Sequence, residues 1–172
     1  MIANIRRAAA IAATVGAVAG ASLLSAGSAL ANPSDVACGA ADVNVAVTKE
    51  QGGAAGHEAF LISYTAANPQ TNCKLQGAPG GVVFTAADGP ISDVSVAPDG
   101  GVAEPVNLTA SSPAHSYLIQ ATGDAPHAAV PGSVELDLPS PAEGQDTREV
   151  AAWPANEPIK GDVLQVTPVT QG

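Results

Sequence analysis

The sequence predicts an all-β chain, an immunoglobulin-like antiparallel β-sandwich of about eight or nine strands, and three observations carry that expectation. Apolar residues recur with period two over short stretches, and turn-forming dipeptides interrupt them at strand-like intervals. No window after Ala31 sustains an apolar stripe of period 3.6 for ten residues. Composition points the same way: 18 Gly and 14 Pro in 172 residues favour turns, and prolines at 113, 126, 131, 139, 141, 154 and 158 punctuate the back half.

The order of elements begins with an export signal over residues 1–31. Arg6 and Arg7 form a basic n-region, an Ala/Val/Leu run over 8–24 forms the apolar core, and Ala29-Leu30-Ala31 is a small-residue cleavage motif. Cleavage is expected between Ala31 and Asn32, leaving one domain over 32–172. Asp35-Val36-Ala37 before Cys38 is no lipobox, and no later segment is apolar enough to span a membrane. The expected mature protein is therefore secreted, extracellular or envelope-associated, with no stable membrane insertion after cleavage. Losing Arg6 and Arg7 takes the net charge from −10 to −12, with 4 basic against 16 acidic side chains. Such a chain is not a partner for nucleic acid or anionic lipid, both of which require Lys and Arg to displace counterions.

Cys38 and Cys73 are the two cysteines of the chain, and an even count in an oxidising compartment reads as one disulfide. A Cys-x-x-Cys redox motif is absent from the sequence. Val43, Val45 and Val47 alternate as the first strand. Over residues 57–64, Phe60, Ile62 and Tyr64 share one face and Ala59 and Leu61 the other, which reads as a central strand buried on both sides. Asn68-Pro69 ends it, and Cys73-Lys74-Leu75 opens the next element before a turn over 77–81. The expected disulfide thus ties the start of the domain to this strand.

Val82-Val83-Phe84 leads through Asp88-Gly89-Pro90 into residues 91–96 as a hairpin, and Pro98-Asp99-Gly100-Gly101 makes the following turn. Further strands are expected over 102–108, 115–121, 134–138, 150–153 and 163–169. Residues 139–148, polar and rich in Pro, Gly and charge, are the expected mobile loop.

Cys38, the strand over 43–47, the tract Gly52-Gly53-Ala54-Ala55-Gly56-His57, the element Cys73-Lys74-Leu75-Gln76-Gly77-Ala78-Pro79-Gly80 and the ending Val166-Thr167-Pro168-Val169 together resemble a family of exported actinobacterial proteins, the domain of unknown function 4232 family. The likeness covers residues 38–169. It implies a secreted or lipid-anchored β-sandwich and brings with it no substrate, cofactor or catalytic residue. Many relatives carry a second cysteine pair in the C-terminal half; this chain has none, which implies a looser back half.

Among residues able to carry chemistry, His57 follows a glycine-rich tract and precedes Glu58 at a strand start. The pair is a candidate ligand contact, weighed against an imidazole that bonds its own loop beside glycines needed for positive φ or close packing. A metal site requires His115 and His127 to converge on His57. Their sequence has neither His-x-His nor His-x-x-x-His spacing, and alternation puts His115 on the face of Tyr117. Ser111, Ser112 and Ser116 lie near His115, but no Gly-x-Ser-x-Gly elbow holds any of them. Glu135 and Asp137 share a strand face, the pattern of a solvated surface. Asp88, Asp93 and Asp99 are scattered over three turns and do not form a calcium loop. The Gly52–56 tract lacks the Lys-Ser/Thr of a phosphate loop, and Asn107-Leu108-Thr109 is a bare glycosylation sequon. Trp153, the sole tryptophan, is expected to fill core volume rather than to anchor a partner.

These readings add up to a non-enzymatic, exported interaction or envelope module with no cofactor, acting on an unknown protein or envelope partner. The alternatives are a small-ligand or metal carrier using His57 with His115 and His127, which demands imidazoles within about 5 Å of one another, and a hydrolase with a buried nucleophile and base in hydrogen-bond reach.

Overall fold

A computed structural model describes residues 34–140 and 144–172 of the chain. The leader expected over 1–31, with its cleavage between Ala31 and Asn32, lies outside the described residues, as do residues 141–143 of the loop expected to be mobile.

Cys38 and Cys73 form the expected disulfide, with Cα atoms 5.0 Å apart. Cys38 N–H also donates to the Lys74 carbonyl, so the start of the domain is pinned twice. After a single 3-10 turn (Ala40–Asp42), strand β1 (Val43–Lys49) turns its valines inward and pairs antiparallel with β2 (His57–Ala66). The disulfide partner lies on β3 (Asn72–Leu75); β4 (Gly80–Ala86) and the two-residue β5 (Gly89–Pro90) follow as a hairpin. Next come β6 (Ser95–Pro98), β7 (Val106–Thr109) and β8 (Ala114–Ala121). The back half supplies β9 (Ser133–Asp137), β10 (Arg148–Ala152), β11 (Val163–Val166) and β12 (Thr170–Gln171).

The first sheet has the order β1-β2-β8-β11-β6, with β12 also on β8; the second is β10-β9-β4-β5; β3 and β7 make a third pair. Phe60 of β2, Phe84 of β4 and Trp153 after β10 meet between the first two sheets. The Trp153 ring lies 4.4 Å from Phe60 and 5.2 Å, edge-on, from Phe84. Burial of Val43, Val47, Ile62, Leu118, Val134, Leu136, Leu164 and Val166 completes that core from both sides. The chain is thus all-β and sandwich-like, and Trp153 does fill core volume, at 5% exposure.

The structure departs from the expected strands at five places. The described residues form twelve strands, not eight or nine: the strand expected over 163–169 stops at Val166, before Pro168, which has no N–H to donate, and the two-residue β5 and β12 lie outside every expected strand. The strand expected over 102–108 begins only at Val106, and Val102 is 79% exposed. The hairpin centres on Ala87-Asp88 rather than on Asp88-Gly89, since Ala86 pairs with Gly89 and Thr85 with Pro90. Beyond Ile91, whose N–H reaches the Phe84 carbonyl, the chain leaves that sheet. Both the N–H and the hydroxyl of Ser95 donate to the Asp162 carbonyl, and β6 runs parallel to β11, so the sandwich is not wholly antiparallel. Lastly, β2 is buried on one face only: Phe60, Ile62 and Tyr64 are buried, whereas Ala59 and Leu61 are half-buried on the outer face.

Candidate functional site

The loop between β1 and β2 is shaped by its glycines. Gly52 and Gly56 sit at φ of +92° and +84°, and a Cβ on Gly53 would meet the His57 carbonyl oxygen at 2.5 Å, so positive φ accounts for the first two and close packing for Gly53. His57 N–H donates to the Ala54 carbonyl, while its side chain is exposed. Against the sheet, Gly53, Ala54, His57, Ala59, Ile119 and Gln165 line a shallow notch of about 250 Å³.

His57 and Glu58 are consecutive on β2 and point to opposite faces. Glu58 lies at the inner end of the sandwich, where Lys160 Nζ donates to its Oε1 at 2.7 Å and Gln120 Nε2 to its Oε2 at 3.2 Å. Lys49 Nζ is 3.8 Å from the same carboxylate and 2.6 Å from Glu157 Oε2. Gln120, itself buried, donates also to the Pro158 carbonyl and accepts from the Lys160 N–H. The Lys160 ammonium holds the Glu58 carboxyl below its ordinary pKa; burial opposes this, and Gln120 and Lys49 add to it. Lys49 is shifted upward, chiefly by its hydrogen bond to Glu157. This alternating chain of charges closes one end of the sandwich. Its bonded pairs are up to 108 positions apart, so no local motif announced it.

His115 stands on the outer face of β8, edge-on to Tyr117 at 5.3 Å, as alternation predicts, and its Nε2 meets the Thr170 hydroxyl at 3.1 Å. The contact tethers β12. His127 is held on three sides. Its Nε2 is 3.0 Å from the Gly161 carbonyl and 3.6 Å from Asp162 Oδ1, and its Nδ1 is 3.5 Å from Asp93 Oδ2. The two carboxylates face opposite ring nitrogens and cannot share one ion with the imidazole.

Convergence of the three imidazoles is overturned. In the β2–β8 register His57 faces Ala121 whereas His115 faces Ser63, six residues along the ladder, about 20 Å away. Among the described residues, no group of three or more His, Cys, Asp or Glu is placed to hold a metal ion. Ser116, the serine nearest His115, is buried and sits 3.5 Å from the Tyr64 hydroxyl on the opposite face. Glu135 and Asp137 are half-buried on the outer face of the second sheet, where Asp137 pairs with Arg148 Nε at 3.1 Å. Asp99 Oδ1 accepts from the Gly101 N–H and shapes the turn found there, while the sequon residue Asn107 accepts from the Ser34 N–H.

The family model described as Domain of unknown function (DUF4232) matches residues 38–170. The chain belongs to this family. The match runs from the disulfide's first cysteine to the first residue of β12, so it takes in both cysteines, both large sheets and the charged network. No curated protein and no solved structure matches the chain. Membership of the domain of unknown function 4232 family therefore conveys no substrate and no catalytic residue. No helix among the described residues is long and apolar enough to cross a membrane.

Proposed function

We propose that this family member is an exported, non-enzymatic interaction module of the cell envelope or its surroundings. The observation that carries the reading is the use to which its chemically capable side chains are put. Glu58 is clasped by Lys160 and Gln120, His127 fastens the loops of Asp93 and Gly161, and His115 tethers β12. Groups engaged in this way hold loops and strand ends to the sandwich; a general base instead needs a lone pair within reach of a substrate proton. Export is supported by the Cys38–Cys73 disulfide, which persists in oxidising compartments, and by the leader read in the sequence.

Affinity capture tests the reading. The protein is cross-linked in its native host and recovered from the envelope and culture-medium fractions, alongside a variant carrying charge on its exposed sheet face. Recovery of a partner from those fractions by the parent and not by the variant is expected. Recovery from the cytoplasm with both cysteines reduced would contradict it.

A further inference from the structure

The outward-facing positions of the first sheet differ from the rest of the molecule in charge. Strand alternation puts Asn44, Ala46 and Thr48 of β1 on that face, and then every second residue from His57 to Thr65 on β2. His115, Tyr117, Ile119 and Ala121 of β8 follow, with Val163 and Gln165 of β11 and Ser95 and Ala97 of β6. Not one of these is Asp, Glu, Lys or Arg, in a chain that has 16 carboxylates. Leu61 stands opposite Tyr117 and Ala59 opposite Ile119, giving a half-buried apolar strip across β2 and β8, with the exposed Gln165 of β11 beside Ile119. Val163, 60% exposed, extends it. Carboxylates return at the rim, where Glu50 N–H bonds the Ala59 carbonyl and Asp162 precedes Val163. The opposite sheet shows the contrast: its outer face carries Glu135 between Val83 and Val150, and Asp137 against Arg148.

We infer that the outer face of the β1-β2-β8-β11-β6 sheet is the interface of a homodimer, two copies meeting face to face about a two-fold axis. The inference rests on the reading of the protein as an interaction module and names the partner as a second copy. A two-fold interface sets a surface against itself, so any net charge on it meets its own like. An uncharged face rich in hydroxyls and amides, which both donate and accept, is self-complementary. A copy carrying a net charge of −12 after loss of the leader has in this face a surface that meets a second copy with little repulsion. Area agrees: at about 4.8 Å between strands and 3.3 Å per residue the five strands present roughly 500 Å² before side-chain corrugation. That approaches the ~600 Å² per partner of small specific interfaces. Depletion of charge with Tyr at the centre is also the composition of an interface core.

Repulsion between two acidic bodies gives the dimer an unusual salt signature: screening strengthens it, whereas salt weakens an interface built from opposite charges. Sedimentation velocity on the disulfide-intact protein, from about 1 to 200 μM and at low and high sodium chloride, reads this directly. Expected is a concentration-dependent monomer–dimer equilibrium that shifts toward dimer at high salt. Leu61→Glu and, at an exposed position where folding is not at stake, Gln165→Glu each weaken the dimer at least about tenfold. Val150→Glu on the opposite sheet leaves it unchanged. A monomer at every concentration, or a dimer indifferent to both first-sheet variants, overturns the inference. Both results leave the interaction-module reading standing as long as the disulfide is intact; free thiols and cytoplasmic recovery strike at that reading instead.

Discussion

Glu58 and Glu149 show how two carboxylates of one sandwich acquire opposite pH behaviour. Glu58 accepts from Lys160 and Gln120, so its folded-state pKa lies below the ordinary value, and the stability it contributes is present above about pH 4.5 and lost as pH falls through the folded value. Glu149 on β10 is raised, by burial first and by Asp146 second, so the folded chain binds its proton more tightly and stability declines as pH rises from about 4.5 through the folded value above it. Urea midpoints between about pH 3 and 7 separate the two. Glu58→Gln is expected to cost about 1 kcal/mol at pH 7 and to flatten the acid limb. Glu149→Gln is expected to stabilise at pH 7 by about 0.5 kcal/mol, with no gain at pH 3. Equal effects at both pH values would contradict both assignments. Trp153 is a matter of packing, with its indole N–H on the Glu157 carbonyl at 2.8 Å. Trp153→Ala is expected to cost about 3–5 kcal/mol by chemical denaturation. The parent's fluorescence, from this one tryptophan, should be blue-shifted and red-shift on unfolding.

At the scale of elements, the disulfide decides how the N-terminal segment is held. Linking positions 35 apart restricts the unfolded chain by about 4 kcal/mol on the loop-entropy model. Replacing both cysteines by serine should lower stability by a comparable amount, with the β3–β7 pair the first to lose hydrogen-exchange protection because β3 carries Cys73. Uniform loss of protection across all three sheets would contradict that localisation. The flanks of the 139–148 segment are stitched to the same region: Ser140 hydroxyl donates to the Cys38 carbonyl at 2.6 Å, and Ala40 N–H to that of Asp146. Strands with strong alternation were legible from the sequence: β1, β2, β8 and β9 differ from expectation by a few residues at most. What was not legible is where a strand goes after a proline. Pro90 ends the β4–β5 hairpin, and the switch of Ser95 to the opposite sheet depends on the Asp162 carbonyl, 67 positions away. Period-two patterning reports which face is buried and carries no information about which sheet a short strand joins.

For the molecule as a whole, fold and disulfide were readable because they depend on periodicity and cysteine count. The site was not, because its parts are joined by tertiary contacts. The Lys49–Glu58–Lys160 network unites residues from β1, β2 and the loop before β11, and the three histidines that sequence order offered as one site occupy separate places. The uncharged face was half visible: alternation put Ala59 and Leu61 opposite Phe60, yet only the β2–β8 register sets them beside Ile119 and Tyr117. The proposed export and the Cys38–Cys73 disulfide stand together, since the bond persists in an oxidising compartment. Intact mass spectrometry of the protein secreted by its native host, with and without reductant and alkylation, tests both most directly. A mass of Asn32 to Gly172 less two hydrogens is expected, with alkylation of two thiols only after reduction. A mass retaining the leader, or two thiols alkylated without reductant, would contradict it.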